Sequence, residues 1–167
     1  MTTTDYTVRH AFPCDDAAIA RLESICFPEA EAAPFQAISE RVRVYPEHFT
    51  LVEHDGSIVG VVNGPLTLEK DLVDEMYADT SYHNPSGPWQ MIFGVETHPD
   101  HRRLGVAELA LTAFLEYARS VGARGAVLTC KEELIHYYAK FGFVSEGVSS
   151  SGHGGATWYQ MRLTFPT

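Results

Sequence analysis

The chain has 167 residues, of which 45% are hydrophobic and 20% charged, and a formal charge of −10. That length suits one domain, spanning 1–167, that buries roughly 70% of its unfolded surface without disulfide staples. The acidic balance disfavours nucleic acid and anionic membrane as partners. The three cysteines (Cys14, Cys26, Cys130) are an odd number without a framework spacing and point to a reducing compartment.

The N-terminal MTTTDYTVRH lacks an apolar signal core, and no apolar run approaches the ~20 residues that span a bilayer. The expectation is a cytoplasmic protein. Alternation in YTVRHA (6–11) predicts a first strand. Asp15 or Asp16 is placed to cap a helix with Ile19, Leu22 and Cys26 on one face. Prolines bracket a loop at 27–34, and FQAISERVRVY predicts a second short helix. Strands 49–53 and 58–63 flank Asp55-Gly56, a hairpin signal. A short helix is expected at 71–79 and a loop in TSYHNPSGP, followed by one strong strand over 89–97. From Val106 through Leu109, Ala110, Ala113, Phe114, Tyr117, Ala118 and Val121 the apolar residues recur at the helical period. AVLTC (126–130) predicts a buried strand, KEELIHYYAKFGF a short helix closed by Gly142, and two strands complete the chain.

The 89–97 strand, the 106–121 helix and the 126–130 strand make a βαβ unit, so those two strands should be parallel. The fold class is therefore α/β (α+β). It should be a mixed, mostly antiparallel sheet with a central parallel pair (89–97 and 126–130) and helices on both faces. The eight histidines show no metal-ligand spacing, and no metal is expected; most are expected in loops or at the surface.

The basic cluster RRLGVA opens the 106–121 helix. The first N–H groups of a helix lack intrahelical partners, and its dipole adds about half a positive charge there. That end is suited to phosphate. Gly105 offers close backbone approach, Ala107 keeps the next turn small, and Arg102 and Arg103 add positive charge. The Gly-Lys-Ser/Thr ending of a Walker loop is missing, as are two of the three glycines of a dinucleotide fingerprint.

RRLGVA resembles the Arg/Gln-x-x-Gly-x-Gly/Ala signature of the GNAT superfamily of N-acetyltransferases. GVETHPDH, LTCKEELIHYYAKFGF and the element order extend the resemblance over essentially the whole chain. The spacing from His98 to Gly105 is most similar to the arylalkylamine N-acetyltransferase branch. The resemblance implies acetyl transfer from acetyl-CoA, the co-substrate, to the amine of a small molecule by direct attack on the thioester. The implied pyrophosphate site is the backbone of Arg103, Leu104, Gly105, Val106, Ala107 and Glu108, rimmed by Arg102. Val95 and Thr97 would pair with the pantetheine arm where the parallel strands splay after position 95, and the Val95 amide would face the thioester carbonyl. Tyr138 would protonate the leaving thiolate and also touch the cofactor, with Tyr137 as its core partner.

The resemblance implies an acceptor pocket walled by Phe27, Met91, Phe93 and Thr129. The glycine-rich SSSGHGGATWY segment is a candidate for its other wall. Met91 and Phe93 stand where the animal enzymes of that branch carry histidines, so the base is open. Glu96 is one candidate, although alternation puts it on the opposite face with Gln90 and Ile92 unless a bulge intervenes. His83, in the loop before the strand, is another, and a water chain is a third. Rival readings are a CoA-binding module without catalysis and an acetyltransferase of peptide amines. A monomer or a homodimer is expected.

Overall fold

The computed structural model describes residues 5–167; the first four residues of the N-terminal decapeptide lie outside it. The chain forms nine strands and four α-helices among the described residues. Strands β1 (Thr7–His10), β2 (Phe49–His54) and β3 (Ser57–Asn63) form an antiparallel meander. The β2–β3 turn has positive φ at Asp55 (50°) and Gly56 (79°), as a two-residue hairpin of right-handed twist needs. Helices α1 (Asp16–Cys26) and α2 (Phe35–Val44) cover one face of the meander. They bury Ile19, Leu22, Ile38 and Val42 with Leu51 and Val61. Asp15 makes no capping bond at α1; its carboxylate receives Arg9 at 2.8 and 2.9 Å and the Phe12 N–H at 2.7 Å.

The short strand β4 (Leu66–Thr67) was not legible in the sequence, and the helix expected at 71–79 is a 3-10 turn, Asp74–Tyr77. The strand expected over 89–97 is divided into β5 (Trp89–Ile92) and β6 (Gly94–Thr97). β5 runs parallel to β7 (Gly125–Cys130), from Trp89↔Gly125 to Ile92↔Leu128. β6 instead leaves for the meander and lies antiparallel to β3. Two sheets result, in the orders β1-β2-β3-β6 and β4-β5-β7-β9-β8, with β8 at Val144–Val148 and β9 at Tyr159–Thr164. The parallel pair parts after Ile92, three residues earlier than expected. Beyond Leu128, strand β7 keeps its β9 partner but has none on the β5 side, and a slot opens there.

The break also changes which way side chains point. Met91 packs with Leu72, Met76 and Val127, whereas Ile92 and Val95, three residues apart, both pack in the cluster under α3. One residue is therefore added to the alternation at Phe93–Gly94. Glu96, paired across the ladder with Val61, faces α1 and α2 together with Phe93.

Helix α3 (Val106–Ser120) covers the other face, burying Val106, Ala110, Leu111, Phe114 and Ala118. Val121, expected on that stripe, lies past the helix end and is exposed, and Leu111 takes a place the spacing had not assigned. Helix α4 (Ile135–Ala139) follows a 3-10 turn, and Gly142 (φ 98°) ends the segment.

Candidate active site

Two cavities meet where β5 and β7 part. The first is a groove of about 690 Å³ beside the N-terminus of α3, lined by Val95, Thr97, Arg102, Arg103, Gly105, Val106, Ala107 and Glu108. Arg103 (φ 63°) and Gly105 (φ 84°) are both left-handed, so the loop coils tightly into the helix. The first helical bond runs from the Leu109 N–H to the Gly105 carbonyl at 3.0 Å, leaving the N–H groups of Val106, Ala107 and Glu108 without helical acceptors. A Cβ at Gly105 would meet no protein atom within 4 Å. The glycine is required here for its backbone angle, and the space beside it is open. Leu104 takes part through its backbone only: its side chain is exposed and does not line the groove.

The edge of β6 borders the same groove. The His98 N–H donates to the Val59 carbonyl at 2.8 Å. Antiparallel alternation then makes Glu96 a bonded ladder position and leaves the N–H and C=O groups of Val95 and Thr97 facing the open side. The Thr97 carbonyl is met there by Cys26 Sγ at 3.3 Å and Arg102 Nε at 3.4 Å.

The second cavity, of about 260 Å³, is lined by residues from nine segments. Phe27, Val95 and Leu134 line both spaces and form the passage between them. The roof is the 27–34 loop. Glu31 pairs with Lys131 at 2.8 Å, and the Ala33 N–H donates to Glu23 Oε2 at 2.8 Å. The glycine-rich segment closes over it: His153 Nε2 reaches the Glu31 carbonyl at 2.8 Å, and Trp158 Nε1 donates to the His153 carbonyl at 2.8 Å. Tyr77 packs with tilted rings between Phe93 (4.6 Å) and His153 (4.8 Å), and its hydroxyl meets Thr129.

Polar groups converge inside. Glu96 is 1% exposed and neither of its oxygens receives a donor from the protein. It lies against the Glu23 carboxyl, 6% exposed, and two carboxyls hydrogen-bond only when one keeps a proton. Burial first, then the Glu23 charge, hold the Glu96 carboxyl well above the usual range. Gly94 leaves room for it, since a Cβ there would come within 3.1 Å of Glu96 Oε1 and 3.7 Å of Phe27. Arg41 (4% exposed) donates from Nη2 to the Tyr77 carbonyl at 2.9 Å and lies 4.8 Å over Phe93, with Nε unpartnered. Asn63, 1% exposed, has both amide atoms unpartnered.

Several expectations are corrected. Met91 lies wholly within the Leu72–Met76–Val127 cluster and does not line the cavity, because it precedes the parting of the strands. His83 is not over the cavity. Its Nδ1 accepts the Leu66 N–H at 3.1 Å, and its ring packs on Tyr45 and His48, both 5.0 Å away. Burial lowers it to about 4, so it is neutral near pH 7. Tyr138, not Tyr137, is the more buried of the two: at 8% exposure it lines the cavity, while Tyr137 lines the groove. Burial raises the Tyr138 phenol, keeping it protonated. Cys130 also lines the cavity, but burial pushes its thiol up to about 11, which leaves it a poor nucleophile.

The histidines are less scattered than the sequence suggested. Glu47, buried His48 and His83 bring one ligand atom each within 4.8 Å of one another. Their rings are committed elsewhere, however. Gln90 Nε2 donates to three carbonyls, so its Oε1 accepts the His48 Nδ1 proton at 2.8 Å. In neutral His83 the proton must be on Nε2, since Nδ1 is an acceptor.

Glu23, Arg41 and Asn63 were missed in the sequence. The first two carried a readable signal. Ile19, Leu22, Glu23 and Cys26, and likewise Ile38, Arg41, Val42 and Tyr45, follow the i, i+3, i+4, i+7 pattern of a buried stripe with a charge set in it. Asn63 carried none.

The acetyltransferase (GNAT) family model matches residues 17–143. A serotonin N-acetyltransferase of Mesocricetus auratus is 26% identical over 169 residues, 93% of this chain and 80% of that protein. The loading GNATL domain of CurA from Lyngbya majuscula superposes with a TM-score of 0.82 at 17% identity, covering 95% of this chain and 97% of that one. The GNAT-like decarboxylase GphF, solved with isobutyryl-CoA, gives 0.79 at 20%, covering 95% and 98%.

Proposed function

Since the chain belongs to the acetyltransferase (GNAT) family, we propose that it transfers acetyl from acetyl-CoA to the primary amine of a small molecule, by direct attack on the thioester. One observation carries this reading: a groove of free main-chain N–H groups opens, through Phe27, Val95 and Leu134, into a closed cavity holding a buried carboxyl pair. The residues present fit the co-substrate. The N–H groups of Val106, Ala107 and Glu108 would hold the pyrophosphate, with Arg102 and Arg103 adding charge at the rim. The outward N–H and C=O groups of Val95 and the Thr97 N–H would pair with the pantetheine amides. Acetyl-CoA supplies the electrophilic carbonyl.

The remaining steps belong to this chain. The Glu23–Glu96 pair carries one proton and one negative charge, and takes the proton of the arriving ammonium at Glu23, the member that lines the cavity. Glu96, held protonated, leaves the pair's negative charge on Glu23, where it can accept that proton. The Val95 N–H faces the developing oxyanion, a contact worth ~3–4 kcal/mol in comparable acyl transfers. Tyr138, held protonated, gives its proton to the departing thiolate and recovers one from the attacking nitrogen. The product is an amide, free CoA thiol and one proton, which leaves from the carboxyl pair.

The latched roof, Glu31–Lys131 and His153–Glu31, favours a small acceptor over a peptide segment. The carboxyl pair favours an active enzyme over a catalytically silent CoA-binding module. Thiol release from acetyl-CoA against a panel of small amines and peptides tests the proposal. Amine-dependent release with small amines is expected. Release only with peptides, or tight CoA binding without release, would overturn it.

A further inference from the structure

The acceptor cavity holds more polar chemistry than an amine requires. A carboxyl pair suffices for an ammonium, yet a guanidinium with an unpartnered Nε and a primary amide without partners line the same cavity. Arg41 sits on the buried stripe of α2, 96% removed from solvent, since only 4% remains exposed. It forms no ion pair among the described residues. Its single hydrogen bond uses Nη2, leaving Nε unpartnered. Asn63 ends β3 beside Gly94, its Nδ2 and Oδ1 both unpartnered. A buried guanidinium with an unpartnered N–H and no ion pair at contact distance, and a buried amide without partners, are each costly. Arg41 and Asn63 both line one cavity, so a single ligand group entering between them would satisfy them: a planar anion with two oxygens, which matches a guanidinium and an amide N–H.

The positions of the charges narrow the ligand further. Arg41 is near enough to Glu96 to oppose the rise in that carboxyl's proton affinity. The cationic and anionic halves of the cavity are therefore neighbours, and an ammonium and a carboxylate bound to them must be close together in one molecule. The remaining wall is aromatic, from Phe27, Tyr77, Phe93 and Trp158, and the enclosed volume of about 260 Å³ suits a molecule of small-metabolite size.

Resting on the acetyltransferase reading above, we propose that the acceptor is a free amino acid with an aromatic or branched apolar side chain, its carboxylate held by Arg41 and Asn63 and its amine by Glu23. Each ligand charge then meets an opposite charge: the singly protonated pair carries −1 and Arg41 carries +1. An arylalkylamine without a carboxylate would leave Arg41 buried and unpaired in the complex as in the free protein.

Matched acceptors test this on the wild-type enzyme, independent of any variant's folding. Phenylalanine is compared with 2-phenylethylamine and phenylalaninamide, and leucine with isoamylamine, by thiol release at saturating acetyl-CoA. The carboxylated member of each set should be favoured in kcat/KM by about 10-fold or more, the scale of one charge-assisted bond. Arg41→Gln should remove that preference mainly through KM. Equal or better turnover of the decarboxylated amines, or a preference that survives in folded Arg41→Gln, would overturn the amino-acid assignment while leaving the acetyltransferase reading intact. Turnover of no amine in either series would overturn both. Malonyl-CoA supplies the third arm. Loss of CO2 from it, dependent on Arg41, would assign the carboxylate to the acyl group and overturn the proposal.

Discussion

The groove at α3 and the cavity beneath the roof share Phe27, Val95 and Leu134, yet they are built by opposite means. The groove is made of backbone. Its donors are main-chain N–H groups fixed by two left-handed residues and a helix start, and its charged side chains, Arg102, Arg103 and Glu108, are exposed. The cavity is made of side chains from α1, the 27–34 loop, α2, β3, the 3-10 turn, β6, β7, α4 and the glycine-rich segment, and several of its polar atoms are buried and unpartnered. A backbone site tolerates variation in side chains and is specified by a few residues close in sequence. A side-chain site depends on the identity of each residue, and those residues come from the whole chain.

The sharpest way to break that comparison is to dismantle the buried carboxyl pair that the proposed base depends on. Glu96→Gln should lower kcat by about 10²–10³-fold, the scale of a general base, with the acetyl-CoA Kd unchanged; steady-state kinetics with calorimetry would check both. Tyr138→Phe should lower kcat by about 10²-fold, again without weakening acetyl-CoA, and a wild-type turnover number would remove its role as acid. Both changes test the cavity.

On the groove side, Gly105→Val imposes a branched residue at φ 84°. The strain of about 1–3 kcal/mol should appear as a roughly 10-fold or greater rise in acetyl-CoA Kd. Arg103→Ala should weaken acetyl-CoA only a few-fold at low salt, and the difference should fade as ionic strength rises, because the side chain is exposed.

The smallest effect concerns stability. Burial raises the folded-state affinity of Glu96 for its proton above the ordinary value of 4.5. The folded state then binds more protons than the unfolded state above that pH. The stabilisation is fully present below 4.5 and is lost as pH rises through the raised folded value. Thermal melts should show wild-type Tm declining over that window and Glu96→Gln with a shallower decline.

The same division explains what could be read from the sequence. RRLGVA announced the groove because an anion site at a helix start needs only one glycine angle and a run of free amides. The hairpin at Asp55-Gly56 and the α3 stripe were equally local. The cavity was legible only in part: Phe27, Phe93, Thr129 and Tyr138 line it, but its buried carboxyl pair was hidden because the geometry turns on one added residue at Phe93–Gly94. Strict alternation over 89–97 put Glu96 on the wrong face and kept Met91 on the face of Val95, while the family resemblance set the parting of the strands at position 95. Local pattern cannot reveal where one strand leaves its sheet for another, since that depends on β3 capturing β6 from a distance in sequence. His83 failed for a related reason: its loop folds back to the Leu66 N–H, a contact between segments. Glu23 and Arg41 were visible as charges on apolar stripes, a pattern that marks a buried ligand site as readily as a flawed core.

The separation of the two regions is tested most directly by titrating acetyl-CoA calorimetrically into wild type, Gly105→Val and Glu96→Gln. One site per chain is expected, with affinity reduced about 10-fold or more in Gly105→Val and unchanged in Glu96→Gln. Unaltered affinity in Gly105→Val, or an equal loss in folded Glu96→Gln, would contradict a backbone-built cofactor groove separate from a side-chain-built reaction chamber.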